Sequence, residues 1–135
     1  MKDALLKQVE SDLFRAKEAL DSAERNLKEG DILTTANRTF VACENSVYVM
    51  LKLTFGSTSI NRNKILTKLK EISPDAKKCY DDSYDLRVQA DYGRVAQKME
   101  LNEKNIKNIF EKVKSLVQDA EKSFKGTHLS EDEKK

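Results

Sequence analysis

Leu6, Val9, Leu13, Ala16, Leu20, Ala23 and Leu27 recur at alternating steps of three and four. That spacing puts them on one face of a helix and predicts an amphipathic helix over 3–29, roughly 40 Å long. Gly30 ends it, and Asp31 is placed to cap the next. The second helix, about 32–54, carries Leu33, Ala36, Phe40, Cys43, Val47 and Met50 or Leu51. Val41, Tyr48 and Leu53 widen its apolar face, so it is expected to be the most buried. Gly56 closes it ahead of a Ser57-Thr58-Ser59 loop. Ile65, Leu66, Leu69 and Ile72 predict a short helix near 60–72. Ser73-Pro74 then reads as an N-cap with proline at the first helical position, where its missing N–H costs nothing. The helix it opens runs to about Tyr92, with a turn at Gly93. A last stripe of Ile106, Ile109, Phe110, Val113, Leu116, Val117, Ala120 and Phe124 predicts a helix from about 103 to Gly126.

The prediction is therefore an all-α, up-and-down bundle of about five helices: a four-helix core plus one short helix. It occupies residues 3–125, and 126–135, with no periodicity, is expected to be a disordered tail. Ala16, Ala19 and Ala23 would let a neighbouring helix come close.

At 135 residues, 39% hydrophobic and 36% charged, the chain fits one domain with a modest core. No apolar run is long enough to span a bilayer, and the mixed charge of the last helix argues against a membrane surface. The N-terminus has no signal-peptide pattern, so the expected location is cytoplasmic. Cys43 and Cys79 lie far apart in sequence without a C-x-x-C, which argues against a zinc site or a disulfide framework and for reduced thiols. No metal-ligand spacing, nucleophile motif or glycine-rich phosphate loop occurs, and no cofactor is expected. The net charge of +2 says little about partners, but residues 60–80 hold six cations (Arg62, Lys64, Lys68, Lys70, Lys77, Lys78) against Glu71 and Asp75. Such a run either holds phosphates, with salt-sensitive affinity, or is a solvated face. Arginines grip phosphate better than lysines, which singles out Arg38, Arg87 and Arg94.

Chemistry concentrates in the fourth helix. Tyr80, Tyr84, Arg87 and Asp91 follow at steps of four, three and four, so they share a face, and Arg87 can pair with Asp91. Two tyrosines on that face suit a groove floor or a subunit seam. The plainer reading is an ion pair that only fixes helix packing or a dimer register.

Leu86-Arg87-Val88-Gln89-Ala90-Asp91-Tyr92-Gly93 resembles the R-x-x-A-D-Y-G signature of short prokaryotic HEPN-domain proteins. Asn37-Arg38-Thr39-Phe40-Val41-Ala42 is similar to the family's Arg-x-aromatic-aromatic-Ala segment, with Val41 in the second aromatic's place. The likeness spans about residues 3 to 125. It implies a helical homodimer associated with RNA or a nucleotide, and for many members a partner nucleotidyltransferase in a toxin–antitoxin pair. Active HEPN ribonucleases carry R-x(4–6)-H, in which the arginine stabilises phosphate and the histidine moves protons. Arg87 matches the arginine, but the histidine positions hold Tyr92, Gly93 and Arg94. Where the second helix of that branch often has Phe-His, this chain has Glu44 and Asn45. Its one histidine, His128, is in the tail.

A tyrosine hydroxyl is a poor base at neutral pH, and metal-free RNA cleavage needs groups that exchange protons near pH 7. The expectation is a homodimeric module that binds RNA, a nucleotide or a partner nucleotidyltransferase without efficient catalysis. Arg87, Arg38 and Arg94 would hold phosphate, and Tyr80, Tyr84 and Asn45 would line a groove or dimer seam. Two alternatives stay open: a metal-independent ribonuclease using Arg87 with Asp91, Tyr92 or Glu44, and a purely structural scaffold.

Overall fold

The computed structural model describes residues 3–133, and side chains as far as Thr127. Five helices follow in order: α1 (Asp3–Lys28), α2 (Ile32–Phe55), α3 (Arg62–Ile72), α4 (Pro74–Tyr92) and α5 (Glu103–Glu133). No strand occurs among the described residues. The architecture is an all-α bundle.

Local chemistry sets most of the boundaries. Asp31 accepts the Thr34 amide at 3.0 Å, and Asn61 accepts the Lys64 amide at 3.1 Å. Ser73 stops α3 and starts α4: its amide bonds Leu69 O at 2.7 Å, and its hydroxyl accepts the Ala76 amide at 3.1 Å. Two such caps back to back leave no linker, so α3 folds tightly onto α4. Gly56 (φ +82°) and Gly93 (φ +63°) end α2 and α4 in the left-handed conformation, which a Cβ would penalise. Gly126, by contrast, does not end α5. It has no positive φ, and the helix continues to Glu133. The expected disordered tail over 126–135 is corrected to that extent. One interior glycine costs a helix only about 1 kcal/mol. The His128 side chain and residues 134–135 lie outside the described residues.

α2 contacts every other helix. It packs on α1 and α4 at its sides and on α5 across the bundle, while α5 closes the ring between α4 and α1. α3 leans on α4. The four long helices alternate in direction, so α2 and α4 are antiparallel. Ala16, Ala19 and Ala23 are buried, and their small side chains let α1 and α2 pack closely. The main core joins Phe40, Val47, Leu51, Ile65, Leu69, Leu86, Ile106, Ile109 and Val113. A second cluster of Val9, Leu13, Val49, Ala120 and Phe124 ties the first half of α1 to α2 and α5. Leu33, expected on the apolar stripe of the second helix, is exposed, while Ile32, Thr35 and Ala36 of the same turn face the core.

Asp12 and Lys52 form an ion pair at 2.6 Å, with only 7% and 15% of their side chains exposed. It bridges α1 and α2, 40 residues apart in sequence.

Candidate functional site

The α2–α4 seam gathers most of the singled-out residues around one ring. Phe40 sits edge-on to Tyr80 at 5.4 Å and to Tyr84 at 5.6 Å between centroids. The Arg87 guanidinium lies 5.3 Å from the same ring centroid, within cation–π range. The tyrosine–arginine face of α4 therefore docks on one aromatic residue of α2. Tyr80 is only 2% exposed, so it belongs to the core and does not line an open groove, whereas Tyr84 is half-buried. Burial and the nearby Glu44 charge push the Tyr80 hydroxyl far above its ordinary pKa of 10.

At the outer edge of the seam the polar groups form a chain. Arg87 donates from Nε to Asp91 Oδ2 at 3.1 Å, and Asn37 donates from Nδ2 to the same oxygen at 2.8 Å. Asn37 Oδ1 in turn accepts Nε and Nη2 of Arg38 at 3.0 and 2.7 Å. One carboxylate thus orients Arg87 and, through an amide, Arg38. Among the described residues no hydrogen bond engages the Nη atoms of Arg87, and 30% of its side chain is exposed.

Glu44 lies two helical turns along α2 from Asn37. Burial raises its carboxyl pKa above the ordinary 4.5, although the Arg87 charge and a hydrogen bond from Tyr48 pull the other way. Desolvation first, and then the Glu44 charge, push Tyr48 up to about 12. Glu44 is thus a carboxyl that holds its proton into a higher pH range, close enough to feel the arginine.

Three of the singled-out residues stand apart. Asn45 is buried and donates to Val41 O of its own helix at 2.9 Å, and it takes no part in the polar chain around Arg87. Tyr92 is 62% exposed and does not pack around Arg87. Arg94 lies 5.5 Å from the Tyr92 ring centroid, beyond the end of α4.

Arg94 instead lines a groove of about 580 Å³ with Arg62, Tyr84, Asp85 and Lys98. Here Arg62 bonds Asp81 through Nη2 and lies 4.1 Å from the Tyr84 ring centroid. One cation of the basic run thus serves to hold α3 on α4. Asp85 pins the segment that follows: its carboxylate accepts the amides of Gln97 (2.9 Å), Lys98 (2.8 Å) and Met99 (3.2 Å). Gln89 donates to Met99 O at 2.8 Å and accepts the Leu101 amide at 2.9 Å.

Sequence reasoning had not counted Asn37 and Phe40 as site residues, nor given any role to Asp85 and Gln89. Asn37 and Phe40 lay within a motif stretch, so a signal existed, but the partners of Asp85 are 12 to 14 residues downstream and gave no local pattern.

Among the described residues, no group of three or more His, Cys, Asp or Glu side chains could hold a metal ion. No described helix is long and apolar enough to cross a membrane.

No family model matches this sequence, and no curated protein matches it significantly. A crystal structure of a Sulfolobus solfataricus protein is similar, with a TM-score of 0.65 and 19% identity over 81% of this chain and 95% of that one. At that identity the likeness concerns the fold alone.

Proposed function

We propose that this chain is a HEPN-like homodimeric module that grips phosphodiester groups of RNA or a nucleotide through Arg87, without efficient catalysis. The carrying observation is the Arg87–Asp91–Asn37–Arg38 chain on the α2–α4 seam. It fixes one guanidinium by its Nε edge and leaves the Nη edge without a protein hydrogen bond among the described residues, the edge suited to two phosphate oxygens. The sequence likeness around Arg87 and Phe40 supports the family part of the reading. It also brings in a partner nucleotidyltransferase of toxin–antitoxin type, while the cytoplasmic setting of the proposal rests on the N-terminal sequence and the two free thiols.

The test is fluorescence anisotropy of labelled single-stranded RNA with wild type and Arg87→Ala over a salt series. The variant is expected to bind at least ~10-fold more weakly, with a salt slope shallower by about one phosphate contact. Unchanged affinity and slope, with only a lower melting temperature, would leave the pair a purely structural one.

Glu44 favours a second reading, a metal-independent ribonuclease. Its raised pKa is what a general acid–base carboxyl needs, and it sits within the field of Arg87. RNA cleavage lost in both Arg87→Ala and Glu44→Gln would support it, and no cleavage from pH 5 to 9 would retire it.

A further inference from the structure

Cys43 on α2 and Cys79 on α4 are 36 residues apart in sequence, yet the Cys43 thiol faces the Cys79 sulfur at 4.0 Å. Both are free thiols. Their surroundings differ. Cys43 is fully enclosed by the core, whereas Cys79 keeps a little exposure and lines a groove of about 430 Å³ between α4 and α5. Lys78, Asp82 and Lys112 line that same groove.

We propose that Cys79 and Cys43 are a redox-active pair, in which Cys79 reacts with hydrogen peroxide entering by the α4–α5 groove and Cys43 resolves the product to a disulfide joining α2 and α4. The Cys79 sulfur attacks one peroxide oxygen. An S–O bond forms, the O–O bond breaks, and the departing hydroxide takes up the thiol proton as water. The sulfenic acid on Cys79 is then attacked by Cys43. The S–S bond forms, the S–O bond breaks, and the second hydroxide leaves as water with the Cys43 proton. Two thiols lose two electrons and two protons, and one peroxide becomes two waters.

The division of labour follows from the environment of each sulfur. The Cys43 S–H donates toward Cys79 and lowers the Cys79 pKa below the ordinary thiol value, with the Lys112 and Lys78 charges adding to it and burial and Asp82 opposing. Burial pushes Cys43 up. Thiolate character and access therefore both favour Cys79 as the sulfur attacked first, while a deeply buried thiol is inert until an electrophile appears beside it. A bonded pair sits at about 2.05 Å, so closure needs only about 2 Å of approach between side chains that already face each other. The cross-link would lie one residue from Glu44 and one from Tyr80, and so within the seam of the candidate site. It does not depend on any RNA-binding or nucleotide-binding role.

Fully reduced wild-type protein is treated with one equivalent of hydrogen peroxide, then denatured, and its thiols are counted and its intact mass measured. Loss of both thiols in a monomer lighter by two hydrogens is expected, with the Cys43 and Cys79 peptides joined before reduction. Retention of two thiols, or cross-linking only between chains, overturns the proposal without recourse to any variant. In Cys43→Ala, a dimedone-trapped sulfenic acid is expected on Cys79, while in Cys79→Ala the Cys43 thiol stays unlabelled in the folded protein. Trapping on Cys43 instead overturns the assigned order.

Discussion

Glu44 and Asp85 are both carboxylates on the α2–α4 half of the bundle, and their surroundings ask different things of them. Burial raises the Glu44 pKa above 4.5, so the folded state holds that proton more tightly than the unfolded chain. Stability from this group is therefore greatest below about pH 4.5 and declines as pH rises through the raised folded value. Glu44→Gln removes that decline. It is expected to raise the melting temperature relative to wild type more at pH 7 than at pH 4, measured by circular dichroism at both. An equal effect at the two pH values would show that the carboxyl is not desolvated. Asp85 accepts three backbone amides from residues 97–99. Asp85→Asn offers one carbonyl oxygen and no charge in their place, and is expected to cost about 2 kcal/mol. Hydrogen exchange should show the amides of Gln97, Lys98 and Met99 losing protection before the rest of the protein.

At the scale of elements, cap chemistry was legible because it is local. Asp31, Ser73-Pro74, Gly56 and Gly93 each act within four residues of their own position, and helix starts and stops were read from them. Gly126 failed as a stop because it does not take the left-handed conformation, and one glycine inside a helix costs only about 1 kcal/mol. The Asp12–Lys52 pair was invisible, since its members belong to separate helices and neither breaks the pattern of its own. Removing Asp12 leaves the Lys52 ammonium with most of its surface buried. Asp12→Ala is expected to destabilise the fold by about 3 kcal/mol. For a chain of this size that is a melting temperature lower by roughly 10 °C. A drop of only a degree or two would mean that water reaches Lys52 between α1 and α2.

For the whole molecule, the ring of α1, α2, α4 and α5 packs α2 against all the other helices, and the α2–α4 seam that carries Arg87 lies within that ring. Leu33, Tyr92 and Val95 stay exposed where α2 begins and α4 ends. The proposed homodimer is checked by sedimentation velocity at tens of micromolar, where a mass twice that of the 15.4 kDa chain is expected. A monomer across the whole concentration range removes the dimer from the proposal and leaves the Arg87 cluster to be judged on RNA binding alone.

By itself the sequence determined that this protein is a bundle of five helices, since a three-four apolar rhythm and cap residues act on the nearest turn of chain. It also placed Tyr80, Tyr84, Arg87 and Asp91 on one face, because helical geometry follows from spacing. Only the tertiary structure decided what that face meets. Phe40 beneath the arginine, Asn37 on Asp91 and Cys43 against Cys79 all depend on how α2 slides along α4. That register is set by the fit of side chains from distant segments into a common core, and no short stretch of sequence records it.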